Sequence, residues 1–255
     1  MIINVSCAKM NGKENDRQVG KMKKIQNIIG TLAMLLLIFI LLITSFKIAI
    51  YGDPDYKFYQ KEYEKYNVTE SLNMNIEDVM EVTDKMMAYL IGEYPELSVT
   101  TMVDGKEQDF FNEQDRLHMW DVKNLFLGGL RLRTFAIVVF VMLIIALMLT
   151  KADLTQVLPK SYYRALSISA VLVSVLAVLI MTNFNKVFVI FHEIFFTNDL
   201  WIFDPRTDYM IRMLPEGFFY DMVIRIGGFF ILGLVVLGVF SWGMQRMLSG
   251  SNKQV

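Results

Sequence analysis

The stretch IIGTLAMLLLIFILLITSF, Ile28 to Phe46, carries no charge and directly follows Lys21, Lys23 and Lys24. A helix needs roughly 20 apolar residues to cross about 30 Å of hydrocarbon. Within lipid the backbone must pair with itself, so such a stretch is a helix. Three more stretches share this character: Thr134–Thr150, Ala165–Thr182 and Ile226–Met244. Burying four such helices in a soluble protein would require a far larger core. The whole chain agrees: 255 residues, 54% hydrophobic, 20% charged, mean hydropathy +0.39. An ordinary soluble enzyme is excluded. With Cys7 as the single cysteine, so is a disulfide-stapled secreted domain. The expected fold class is an all-α polytopic membrane protein with four transmembrane helices.

Charge sorts the connecting segments. Cytoplasmic flanks of membrane helices collect Lys and Arg. Before the first span stand Lys9, Lys13, Arg17, Lys21, Lys23 and Lys24, against Glu14 and Asp16. Between spans two and three stand Lys151, Lys160 and Arg164, against Asp153. Residues 53–133, by contrast, carry seventeen acids and nine bases, and residues 183–222 carry six and three. Arg131 and Arg133 are a local exception on the acidic side. The expected organisation is a basic cytoplasmic N-terminus (1–27), spans at 28–50, 134–150, 165–182 and 223–246, cytoplasmic segments at 151–164 and 247–255, and two outer segments at 51–133 and 183–222. Both termini are expected inside. The N-terminal run is longer than a signal-peptide core and lacks a good cleavage site, so it is expected to stay as an anchor. The basic N-terminus suits anionic lipid, although a topology signal explains it more simply.

The first outer segment is expected to form a small α-rich domain with a β-hairpin. Tyr56–Tyr66 is expected to be helical. Asn75 is placed to cap a helix running to Ile91, with Ile76, Met80, Met87 and Leu90 at helical spacing and Gly92 beyond its end. Asp104-Gly105 is a hairpin signal between two short strands. Asn112 is expected to start a further helix with Asp115 in its first turn, and Gly128-Gly129 to break it before span two. The second outer segment holds eleven aromatic residues, a density suited to the membrane interface. Phe188, Phe191 and Phe195 recur at helical spacing.

The chain has two histidines, His118 and His192, both in outer segments. Histidine is the side chain best suited to moving protons near neutral pH. His118 and Asp121 lie three apart, so one helix face can present both. For either histidine alone, a packing or surface role is the commoner outcome. Nucleophilic catalysis is poorly supplied outside, where Ser71 and Ser98 lack a glycine-flanked elbow. No HExxH or paired-cysteine spacing suggests a metal, and no phosphate-binding glycine loop is present. Two histidines with carboxylates leave a metal-dependent hydrolase open, and composition alone also allows a non-enzymatic scaffold or sensor with a partner-binding ectodomain.

The second outer segment reads FHEIFFTNDLWIFDPRTDYMI from Phe191 to Ile211, then LPEGFF from Leu214 to Phe219; the first contains LHMWDV from Leu117 to Val122. Together these resemble the lipoprotein intramolecular transacylases of Gram-positive bacteria, a family once described only as a four-span membrane family. The resemblance runs from about the first span to the fourth. It implies a diacylglyceryl lipoprotein as substrate and transfer of its sn-2 acyl chain to the α-amino group of the N-terminal cysteine, giving the lyso form. It implies no cofactor, metal or nucleic acid; membrane lipid is the surrounding partner. The family's two functional histidines fall on His118 and His192. Asp121, Asn198, Asp199, Trp201, Asp204 and Arg206 are candidates for orienting groups or for donors to an oxyanion. We give the base role to His118, oriented by Asp121, and the acid role to His192; the two roles are open to reversal. Oligomeric state is not legible.

Overall fold

In the computed structural model the backbone is described for residues 3–251 and the side chains for 16–246. Cys7, Lys9, Lys13, Glu14 and Lys253 lie outside the described side chains. Nine helices and one hairpin are described: α1 (Ile3–Tyr51), α2 (Lys57–Lys65), α3 (Val68–Leu72), α4 (Ile76–Leu90), β1 (Thr100–Val103), β2 (Lys106–Asp109), α5 (Glu113–Leu149), α6 (Leu154–Thr182), α7 (Phe184–Phe195), α8 (Tyr209–Met213) and α9 (Glu216–Ser251). Four of them, α1, α5, α6 and α9, are long and apolar enough to cross a membrane. The expected all-α membrane fold with its small hairpin is the fold observed. The chain divides into two units. One comprises the chain to Leu42, Thr134–Ser174 and the chain from Ile231; the other comprises Ile43–Arg133 and Val175–Phe230.

In the first unit, helices approach closely where side chains are small. A Cβ at Gly30 would lie 2.6 Å from the Ser161 hydroxyl, and one at Gly233 would lie 2.5 Å from a Leu41 methyl. Close backbone approach through small residues replaces the hydrophobic drive that is missing in lipid. Two glycines of span four, Gly233 and Gly238, sit at such contacts. The Tyr162 hydroxyl donates to the Leu234 carbonyl at 2.5 Å, and the Tyr163 hydroxyl to the Gly238 carbonyl at 3.2 Å. The outward sides remain apolar. Leu149 is 79% exposed, and Val235, Val236, Val239 and Phe240 are also exposed. So large an apolar surface is at home in a bilayer and not in water.

The second unit has a water-soluble type of core. Tyr59, Tyr63, Val68, Leu72, Val79, Val82, Met87, Val103, Phe110 and Phe111 are buried together, with Met213 and Phe218 packed among them. The Phe218 ring stacks on Tyr63 at 6.1 Å. The Tyr63 hydroxyl pairs with the Thr83 hydroxyl at 2.8 Å, and the latter also donates to the Val79 carbonyl. Asn75 accepts from the Asp78 amide and caps α4 as expected. In the hairpin Thr100 pairs with Asp109 and Val103 with Lys106. Both turn residues have positive φ, Asp104 at 50° and Gly105 at 74°, the geometry of a type I′ turn. Arg212 on α8 holds Asp104 at 2.8 Å, fixing that turn against the core.

Three features differ from expectation. Gly128-Gly129 does not break the helix, and α5 runs unbroken through both. Glycine costs about 1 kcal/mol against alanine in a helix, a penalty that the helical runs on either side outweigh. α6 begins at Leu154, so most of 151–164 is helical. α3 was not expected; Asn67 and Asn73 flank it in left-handed conformations that asparagine tolerates.

Candidate active site

α5 starts with a reciprocal cap. The Asn112 side chain accepts from the Asp115 amide at 2.9 Å, and the Asp115 carboxylate accepts from the Asn112 amide at 3.0 Å. This capping box fixes the phase of the first turns. His118 follows less than two turns later and points inward, only 6% exposed. α7 presents His192 in its last turn, 7% exposed. Asn183 starts α7 by accepting from the Lys186 amide. The two imidazoles, far apart in sequence, come together with ring centroids 6.0 Å apart and planes 26° from parallel.

Aromatic rings enclose the pair. Phe196 and Phe203 meet His118 edge-on at 5.2 and 5.4 Å. Phe188 lies 4.2 Å from His192 and Trp201 lies 4.9 Å from it. The aromatic residues of the second outer segment therefore wall the histidines, beyond any anchoring they supply.

The two histidines differ in their hydrogen bonds. His192 Nδ1 lies 2.7 Å from the Phe188 carbonyl. A carbonyl can only accept, so Nδ1 carries the proton and Nε2 keeps its lone pair in the neutral ring. His118 Nδ1 is buried and has no hydrogen-bond partner among the described residues. Burial pushes the His118 pKa down to about 4, with the neighbouring His192 adding to the effect and Asp121 opposing it. Burial also lowers the His192 pKa, against the opposing bond to Phe188. Both rings are therefore neutral at neutral pH.

The loop after α7 is fastened to the face of α5 that carries His118. The Asn198 amide donates to Asp121 at 2.9 Å. The Gln114 amide donates to the carbonyls of Leu200 and Ile202 at 3.1 and 2.9 Å. The Asn112 amide donates to Asp208 at 2.6 Å, and the other Asp208 oxygen accepts from the Asp204 amide at 2.6 Å. These bonds hold Trp201 on His192 and Phe203 on His118. Gln114 and Asp208 were not singled out in the sequence, and Asn112 only as a helix start. Only the helical phase of residues 114, 118 and 121 hinted that one face would carry all three.

The remaining candidates separate from the pair. Asp121 turns to Asn198, so its hydrogen bond goes to the loop. Arg206 lies outward, its side chain 87% exposed, and its guanidinium is committed to Asp204 at 2.6 Å. Those hydrogen bonds hold the Asp204 carboxyl down at about 2. Asp199 is exposed and caps a turn through its carbonyl. Among the described residues, no group of three or more His, Cys, Asp or Glu is arranged to hold a metal ion.

Comparison with known proteins bears on this site. The model of the lipoprotein intramolecular transacylase family matches residues 31–219. An in meso structure of the membrane integral lipoprotein intramolecular transacylase from Bacillus cereus superposes with a TM-score of 0.70 at 24% identity, covering 92% of this chain and 100% of that one. A form of that protein with a histidine-to-arginine mutation gives 0.70 at 23% identity, covering 94% and 99%. A histidine-to-alanine form gives 0.68 at 23%, covering 94% and 100%. At these identities the likeness is one of fold. No curated protein sequence matches the chain. The family model spans most of the chain, including both histidine segments, and the chain therefore belongs to the lipoprotein intramolecular transacylase family, a multi-pass membrane acyltransferase.

Proposed function

We propose that the chain moves the sn-2 acyl chain of a diacylglyceryl lipoprotein to the α-amino group of its N-terminal cysteine, using His118 and His192. The observation that carries this is the pair itself: the only two histidines of the chain are buried side by side in an aromatic cage. Donor ester and acceptor amine belong to one molecule. Positioning them replaces most of the entropy cost of a bimolecular reaction, so a serine or cysteine nucleophile is not required.

The hydrogen bonds favour His192 in place of His118 as the base, and lead to a different division of roles from either assignment above. His192, with Nδ1–H held by Phe188, offers Nε2 as the base. An α-amino group titrates near 7.7–8.0, within reach of an imidazole. His192 takes the proton from the attacking amine as the N–C bond forms. The resulting imidazolium is disfavoured by burial and is thus a strong acid. It returns the proton to the glycerol oxygen as the C–O bond breaks. The overall change is one amide formed, one ester broken and one proton moved from nitrogen to oxygen. His118, neutral down to about pH 4, acts as a hydrogen-bond donor to the developing oxyanion and not as an acid reservoir.

The active face is assigned to the outside, with both termini inside, on the Lys and Arg distribution. The test is expression in a host lacking other lipoprotein N-acylation, with mass spectrometry of lipoprotein N-terminal peptides. An acyl chain gained on the amine and lost from glycerol is expected. Persistent diacylglyceryl form despite good expression would refute the reading and leave the scaffold or sensor alternative.

A further inference from the structure

The first unit contains a groove of about 560 Å³ that the transacylase reaction does not use. It is lined by Gly20, Lys23, Lys24, Asn27, Ile28, Thr31 and Leu32 of α1 and by Arg164 of α6. The α1 residues recur at three- and four-residue spacing, so they form one stripe along the helix. Arg164 is brought to this stripe from a distant part of the sequence. One guanidinium nitrogen faces Asn27 Oδ1 at 3.2 Å and another faces Thr31 Oγ1 at 3.4 Å. These contacts use part of the five-donor fork and leave the rest for an anion.

Three cations thus line one groove, and among the described residues no carboxylate lines it. Below them the lining turns apolar. Ile28 and Leu32 are 52% and 50% exposed and lie within the first membrane-spanning stretch. A basic rim above an apolar floor matches an amphiphile with an anionic head and hydrocarbon tails. A topology signal accounts for the lysines of α1, but not for the polar seat that Asn27 and Thr31 give to Arg164.

We propose that this groove binds an anionic phospholipid, its phosphate held by Lys23, Lys24 and Arg164 and an acyl chain lying on Ile28 and Leu32. Free phosphate shares the headgroup chemistry but has nothing for the apolar floor, so the proposal commits to the lipid. Cationic side chains at a membrane surface contribute about 1 kcal/mol each, or about fivefold in affinity.

The test uses the full-length protein in neutral detergent, titrated with phosphatidylglycerol, phosphatidylcholine or inorganic phosphate and read by native mass spectrometry. Phosphatidylglycerol is expected to bind in preference to phosphatidylcholine. Lys23→Gln, Lys24→Gln and Arg164→Gln should each weaken it about fivefold, and Arg164→Lys should weaken it less than Arg164→Gln. Amine-reactive labelling of the unmodified protein gives a second reading, independent of how the variants fold. Phosphatidylglycerol should slow the labelling of Lys23 and Lys24, and phosphatidylcholine should not. Equal binding of the two lipids, unchanged labelling, or displacement of the lipid by phosphate at equal concentration would each overturn the proposal.

Discussion

The second unit buries aromatic residues in two places, and the two places treat polar atoms differently. In the core around Tyr63, that ring's own polar group is matched. Its hydroxyl meets Thr83, which in turn reaches the Val79 carbonyl. Around His118 and His192 the rings pack as closely, but His118 Nδ1 is left without a partner among the described residues. Burying a polar atom unpaired costs about 1–3 kcal/mol. Under the proposed function, the histidine cage holds a polar atom that an arriving substrate would satisfy, and there it differs from the Tyr63 hydroxyl.

Substitutions can break this contrast, beginning with the histidines. His192→Ala is expected to lower formation of lyso-lipoprotein by about 10²–10⁴-fold, the range for loss of a general acid–base. His118→Ala is expected to lower it by about 10²–10³-fold, as for loss of one oxyanion donor. Both are read by mass spectrometry of N-terminal lipopeptides. Activity close to that of the unmodified enzyme in the double variant would remove the histidines from the mechanism.

The pH profile sharpens the same contrast. Both imidazoles have lowered pKa values, so the acidic limb of activity should fall below the ordinary histidine value of 6.5. The sign for stability is the same. Below pH 6.5 the unfolded chain binds a proton at His118 that the folded chain refuses until about pH 4. Stability is therefore lost as pH falls through that window. A limb centred at or above 6.5, measured with lipopeptide in micelles, would contradict the buried neutral pair.

Smaller effects test the supports. Asn198→Ala removes the bond to Asp121 and should reduce activity about fivefold, the equivalent of one hydrogen bond of about 1 kcal/mol. Tyr63→Phe should cost about 1 kcal/mol of stability, seen as a lower Tm, with activity per folded molecule unchanged. Asp115→Asn should have the mildest effect. Burial raises the Asp115 pKa to about 6 and one of its oxygens has no partner among the described residues. The unfolded chain releases this proton near the ordinary value of 3.8 and the folded chain only near 6, so stability is lost as pH rises through that window, and the neutral amide should make Tm less dependent on pH there.

The sequence made some parts of this molecule plain and hid others for physical reasons. The spans were legible because a bilayer demands a long uninterrupted apolar helix. Asn75, Asn112 and Asp104-Gly105 were legible because caps and tight turns depend on local chemistry. The persistence of α5 through Gly128-Gly129 was not, because propensity is a weak local term. Both histidines stood out as the chain's only ones, but their contact depends on how α7 returns against α5, which no short-range pattern encodes. Asp121 illustrates the limit best. Its spacing from His118 suggested a dyad, whereas its hydrogen bond goes to Asn198, a residue of the other outer segment.

The bond from His192 to the Phe188 carbonyl has a consequence for how such a site can vary. In a histidine–carboxylate dyad the orienting group is a side chain, open to replacement by a single codon change. Here the orienting oxygen belongs to the main chain. Whatever residue stands at position 188, the carbonyl remains, and so does the ring's protonation pattern. Alanine scanning is therefore blind to this determinant. Chemical synthesis or backbone ester incorporation, which weakens a carbonyl as an acceptor, reaches what side-chain mutagenesis cannot. The tautomer is inherited from the helix and does not depend on any other residue being kept.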